Sequence, residues 1–116
     1  MGLTIEQIAE AFCSHRFAET YPYMADDIQW TMIGRETLSG REAVIAHCHK
    51  SLKFLATVAT TDLKLKIYRA EARVIVEGAA KFLDRDDQTF SVASCDVFRF
   101  ADGRLVEITS YVIDNP

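Results

Sequence analysis

The sequence has no apolar stretch approaching the roughly 18 residues that a membrane helix requires, so no spanning segment is expected. Its beginning, MGLTIEQIAEAF, lacks both the basic start and the apolar middle of a secretory signal, which points to a cytoplasmic protein. Glu6 stands where a myristoylation motif needs Ser or Thr, and this excludes that lipid anchor. Cysteine is scarce. Cys13, Cys48 and Cys95 are an odd number without a Cys-x-x-Cys pair, so neither a disulfide frame nor a zinc knuckle is indicated and all three read as reduced core thiols. Basic charge is also short: 13 Lys and Arg against 17 Asp and Glu give a net charge of -4, and no long basic run exists to track a nucleic-acid backbone. No Gly-rich phosphate loop, no G-x-S-x-G elbow and no paired carboxylates at helical metal spacing occur. What remains is a globular composition, 49% apolar and 26% charged over 116 residues, enough for one core and therefore one domain over residues 1–116.

Thr4-Ile5-Glu6-Gln7 is a capping box, and Ile5, Ile8 and Phe12 follow at helical spacing, a pattern that runs out near Tyr21-Pro22. From Asp27 to Ile33 the period changes to two, with Ile28, Trp30 and Met32 on one face, as in a half-buried strand closed by Gly34. Ser39-Gly40-Arg41-Glu42 reads as a second capping box. Behind it Val44, Cys48, Leu52 and Leu55 form one helical stripe, flanked by Val44, His47 and Ser51. From Thr61 every signal is strand-like. Leu63, Leu65 and Ile67 alternate with polar residues, then Val74, Val76, Gly78, Ala80 and Phe82 do, then Phe90, Val92, Ser94, Asp96, Phe98 and Phe100. Asp102-Gly103 is a strong two-residue hairpin signal leading into Leu105 to Ile113. The order helix, strand, helix, long antiparallel meander predicts an α+β architecture with the helices laid on one face of a curved sheet.

Asp96 is the most informative position, because alternation sets its carboxylate in a row with Val92, Phe98 and Phe100. Counting outward from a two-residue turn pairs Phe100 with Leu105, Phe98 with Glu107, Asp96 with Thr109 and Ser94 with Tyr111, so Thr109 and Tyr111 share the Asp96 face. A few polar groups among aromatics are what a ligand pocket contains; a structural pair of Asp96 with Thr109, or with a buried water, fits the same pattern. His47 lies on a helix flank that can face the sheet. His47, Cys48 and His49 do not make a metal site, since neighbours on a helix point about 100° apart.

Three strings resemble the nuclear transport factor 2-like family, in particular its ketosteroid isomerase and SnoaL-type polyketide cyclase branch: MADDIQW before the first strand, LSGREAV at the second helix, and CDVFRFADGRLVEI across the last hairpin. The resemblance runs from about Ile5 to Tyr111. It implies a cone-shaped curved sheet wrapped around the helices, an apolar pocket at one end and a homodimer formed through the sheet. It places Asp96 on the aspartate that ketosteroid isomerases keep protonated as an oxyanion donor. The family's general base falls on Met32 and its oxyanion-hole tyrosine at or near Phe12, neither of which handles a proton, so ketosteroid isomerisation by that mechanism is not expected. Aligning the arginine and first aspartate of the Asp-Arg-Asp set of limonene epoxide hydrolases puts Gly78 and Ala80 there, so that activity is not expected either. His47 falls on an aromatic pocket-lining position.

The residue pattern and the resemblance together lead to a pocket lined by Phe12, Trp30, Met32, His47, Asp96, Phe98 and Tyr111, taking a small, largely apolar molecule; charge, hydropathy and motif content add the expectation of no metal, no nucleic acid and no membrane, and proton transfer needs no cofactor. One expectation is a cofactor-free isomerase, cyclase or dehydratase with Asp96 as acid and His47 as base. The others are a binding protein that has lost the base and a dimeric accessory domain with a filled cone.

Overall fold

The first helix begins as its capping box dictates. In the computed structural model, which describes residues 2–116, the Gln7 amide donates to Thr4 Oγ1 at 3.1 Å and the Thr4 amide donates to Gln7 Oε1 at 2.8 Å. Helix α1 (Ile5–Cys13) buries Ile8, Ala9, Ala11 and Phe12. It ends well before Tyr21. His15 takes a left-handed φ of 65°, its amide donates to Phe12 O, and the Arg16 amide reaches back to Ala11 O at 2.8 Å. This pair of bonds is a Schellman motif, which satisfies the last carbonyls and stops the helix. Two single 3₁₀ turns, Phe17–Glu19 and Tyr21–Tyr23, carry the chain to the sheet.

Strand β1 (Met24–Met32) buries Ile28, Trp30 and Met32 and exposes Gln29, as its alternation predicts. A short strand β2 (Glu36–Ser39), unmarked in the sequence pattern, turns back antiparallel on it. Helix α2 (Arg41–Leu55) follows, and here the expected capping box is absent. Ser39 is held in β2 opposite Gln29, and the N-cap is Gly40 at φ 94°, with no side chain capping the helix. The Gly40 amide donates to Ile28 O, so the chain must leave the strand and enter the helix within one residue, through a backbone geometry that glycine alone adopts freely. Val44 and Cys48 of the predicted stripe are buried, whereas Leu52 is exposed.

The meander consists of β3 (Ala59–Ala70), β4 (Arg73–Leu83), β5 (Thr89–Ala101) and β6 (Arg104–Asp114). One curved, unclosed sheet results, ordered β2-β1-β6-β5-β4-β3, with α1 against β3 and β4 and α2 against β1 and β2. Only the β1–β6 pair is parallel, so the sheet is mixed. Asp102 and Gly103 form the predicted tight turn, at φ 52° and 78°, between Ala101 and Arg104. Two pairs further on the register slips. Phe100 pairs with Leu105 but Arg99 pairs with Glu107, leaving Val106 as an extra residue in β6. Such a bulge moves every later side chain of that strand to the other face. Asp96 therefore stands opposite Ser110, and Tyr111 stands opposite Cys95 on the outer face, which corrects the expected pairing of Asp96 with Thr109 and of Ser94 with Tyr111.

The core centres on Phe12, whose ring meets Phe17, Trp30 and Phe98 edge-on at centroid distances of 4.9, 5.1 and 5.5 Å. Edge-to-face contacts of this kind add to the burial of large rings and fix their orientation.

Candidate functional site

A cavity of about 550 Å³ opens between the helices and the inner face of the sheet, within the ~300–1,000 Å³ usual for small-molecule sites. Of the residues expected there, Phe12, Trp30, Met32, His47 and Asp96 line it. Phe98 does not. It is wholly buried beside Phe12, as part of the core below the cavity wall. Tyr111 does not line it either, because the Val106 bulge turns it outward, where it is 48% exposed. Gly78 keeps one wall low: a Cβ there would come within 2.8 Å of Ser94 Oγ.

Asp96 reaches the cavity from the middle of β5. Its Oδ2 accepts from the Cys13 thiol at 3.7 Å, and Ser110, directly across the β5–β6 ladder, turns its hydroxyl to the same carboxyl. Ser110 is itself fixed from behind by the Trp30 indole N–H at 2.9 Å. Indole is only a donor, so Ser110 Oγ accepts from it and keeps its own proton for Asp96. Burial pushes the Asp96 carboxyl above its usual range, and the hydrogen bonds from Ser110 and Cys13 offset part of that rise. Among the described residues no Lys, Arg or His forms an ion pair with it. The Cys13 thiol is pushed up strongly by its own burial and then by the Asp96 charge, so it stays protonated and acts as a donor.

His47, on α2, lines the cavity and meets the Trp30 ring edge-on at 5.0 Å. Its neighbours diverge as helical geometry requires: Cys48 is in the core, where burial pushes its thiol up to about 12, and His49 is exposed beside Tyr21. The opening is marked by exposed apolar side chains, Ile33, Phe54, Leu63 and Val112, together with Lys50 and the Arg35–Asp114 ion pair at 3.1 Å.

Three lining residues carry no distinct signal in the sequence: Ser110, hidden by the bulge, and Cys13 and His15, which a longer first helix leaves without a role of their own. Chemically the arrangement is an apolar cavity with one uncompensated carboxyl, a thiol and a hydroxyl that hold it, and two imidazoles.

Residues 5–108 match the family described as the SnoaL-like domain. No curated protein sequence matches the chain. Among solved structures, an NTF2-like protein of unknown function from Cytophaga hutchinsonii is 30% identical, with 91% of this chain and 93% of that chain aligned at a TM-score of 0.81. A protein with a ketosteroid isomerase-like fold from Catenulispora acidiphila, solved in complex with trimethylamine, is 18% identical over 94% of this chain and 86% of that one, at a TM-score of 0.70. An LEH-like epoxide hydrolase from M. tuberculosis is also 18% identical, covering 93% and 81% at a TM-score of 0.69. At that identity the last two share the fold alone. The family match over most of the length, joined to the helices-on-curved-sheet fold, makes this chain a member of the SnoaL-like domain family within the NTF2-like α+β fold.

Proposed function

We propose that the cavity binds a small, largely apolar molecule through one oxygen and moves a proton on it, as a cofactor-free isomerase, cyclase or dehydratase does. The observation that carries this reading is the Asp96 carboxyl, which faces an apolar cavity, accepts hydrogen bonds and has no ion-pair partner among the described residues. In its neutral form it donates a hydrogen bond, and a donor aimed at a forming oxyanion in a dry site lowers the barrier to enolisation. A proton acceptor is then required within reach of the same molecule; His47, the base expected from the sequence, and His15 both line the cavity. A protein of ketosteroid isomerase-like fold and an epoxide hydrolase share the fold in which this site is built.

A second reading has its own observation. Met32 and Phe12 line the cavity where the resemblance places the family's base and tyrosine, and both are inert to protons. A binding protein that keeps the donor and has lost the base fits those two positions.

Binding of 2-naphthol, an apolar mimic of an enol, tests the shared part of both readings. Its fluorescence titration should show a Kd for Asp96→Ala that is roughly 10-fold or more weaker than wild type, the loss of a hydrogen bond in a dry site. Equal affinity of the two proteins refutes the donor role. Turnover of a β,γ-unsaturated ketone then separates enzyme from binding protein.

A further inference from the structure

His15 occupies a backbone position at which residues other than glycine are uncommon. It is the C′ residue of the Schellman motif closing α1, at φ 65°, where glycine is the usual occupant because a Cβ is strained in left-handed geometry. Four other non-glycine residues have positive φ, namely Glu71, Asp87, Asp102 and Asn115, and none lines the cavity. His15 does line it, two residues beyond the Cys13 whose thiol holds Asp96, with its ring against Phe17 at 5.9 Å. Its backbone bonds serve the helix end whatever the side chain, so the imidazole contributes nothing to the motif that positions it. Strained residues of this kind cluster at functional sites, where the surrounding structure holds them in place.

We propose that His15, rather than His47, is the proton acceptor of the cavity, working with the Asp96 donor that lines the same cavity. This deepens the proton-transfer reading and rests on it. With a carbonyl compound in the cavity, an unprotonated ring nitrogen of His15 takes the proton from the carbon next to the carbonyl. The C–H electron pair becomes the C=C bond of the enol, and the carbonyl π pair moves onto the oxygen that Asp96 hydrogen-bonds. Return of the proton from the imidazolium to the same carbon, or to the far end of a conjugated system, completes exchange or isomerisation with no oxidant, reductant or cofactor. Burial holds the His15 imidazole below the usual histidine range, which keeps it neutral and able to accept at neutral pH. The other titratable or charged groups facing the same cavity are Cys13, Arg35, His47, Lys50, Asp96 and Asp114.

The test is hydrogen–deuterium exchange next to the carbonyl of 2-tetralone in D₂O, followed by NMR for wild type, His15→Gln, His15→Gly and His47→Gln. Wild type should accelerate exchange with a rate that rises with pH through one histidine titration. His15→Gln and His15→Gly should lose roughly 100-fold, the usual contribution of a general base, and added imidazole should restore exchange in His15→Gly. The pH inflection should persist in His47→Gln and vanish in His15→Gln. Glycine suits the backbone at this position, so His15→Gly should melt no lower than wild type, and its loss of exchange cannot be ascribed to unfolding. Exchange by His15→Gln at the wild-type rate, the absence of imidazole rescue, or no acceleration by wild type overturns the assignment. None of these outcomes alters Asp96-dependent naphthol binding, so failure of the base is distinguishable from failure of the donor.

Discussion

Replacing Asp96 by Asn should make the protein more stable, and the gain should grow with pH. The Asp96→Asn side chain would keep the shape of the carboxyl, and its amide oxygen can still accept from Cys13 and from Ser110, whose hydroxyl is held by Trp30. Below the unfolded aspartate pKa of roughly 3.9 both proteins are neutral at this position, and their stabilities should agree within about 1 kcal/mol. Above it the two separate. Burial raises the folded pKa of Asp96, so the native state holds a proton that the unfolded chain has already released. The stability this group contributes is complete below the unfolded pKa and is lost as pH rises through the folded one. An asparagine has nothing to lose across that window. The difference between the two proteins should therefore widen by up to about 1.4 kcal/mol per pH unit and level off once the folded pKa is passed. All other titrating groups are common to both proteins and cancel in the difference. Urea unfolding of both from about pH 4 to about pH 8, beside a carbon-detected carboxyl titration of the wild type, supplies the measurement. If the difference stays flat, or if the variant falls behind as pH rises, the carboxylate is solvated or paired with a cation and the donor role collapses.

Phe98→Ala should cost about 3–5 kcal/mol in urea unfolding, because the ring is wholly buried against Phe12 and its removal leaves a void in a packed core. A loss below about 1 kcal/mol would mean that the cavity wall collapses into the space, and that Phe98 is not the rigid support assigned to it. The outer face of the sheet aligns Tyr68, Ile75, Val97 and Thr109 across β3 to β6, with Tyr111 and Ile113 exposed nearby at 48% and 60%. So apolar a face is expected to close against a second copy, and sedimentation velocity at micromolar concentration should give a dimer that Val97→Arg dissociates. A wild-type monomer would refute that expectation.

The strands and the Asp102-Gly103 turn are legible because each rests on a local rule: a period of two, or a left-handed pair at a hairpin. The parallel pairing of β1 with β6 rests on no local rule. Neither strand carries a mark of its partner, and the pairing joins residues from opposite ends of the chain, Trp30 with Ile108 and Met32 with Ser110. The β6 bulge is an intermediate case. Leu105 and Ile108 are both fully buried although three apart, a spacing that unbroken alternation forbids. The sequence Leu-Val-Glu-Ile holds that conflict, but Val106 and Ile108 offer an equally regular apolar row, so counting from the turn selects the wrong face for Thr109, Ser110 and Tyr111. The site inherits the error. Ser110, the residue that joins Trp30 to Asp96, is hidden by it, and Tyr111 is misplaced onto the cavity wall.

His15 is illegible for a different reason. Helix ends are signalled by glycine at C′, and here the position carries a residue that disfavours the left-handed backbone, so the pattern runs on toward Tyr21. A local rule fails where a side chain is retained against the backbone's preference, and such a failure is itself informative. The helix would end as well or better with glycine. What glycine cannot supply is an imidazole on the cavity wall, two residues from the thiol that holds Asp96, and it is this side chain that the strained position delivers to the site.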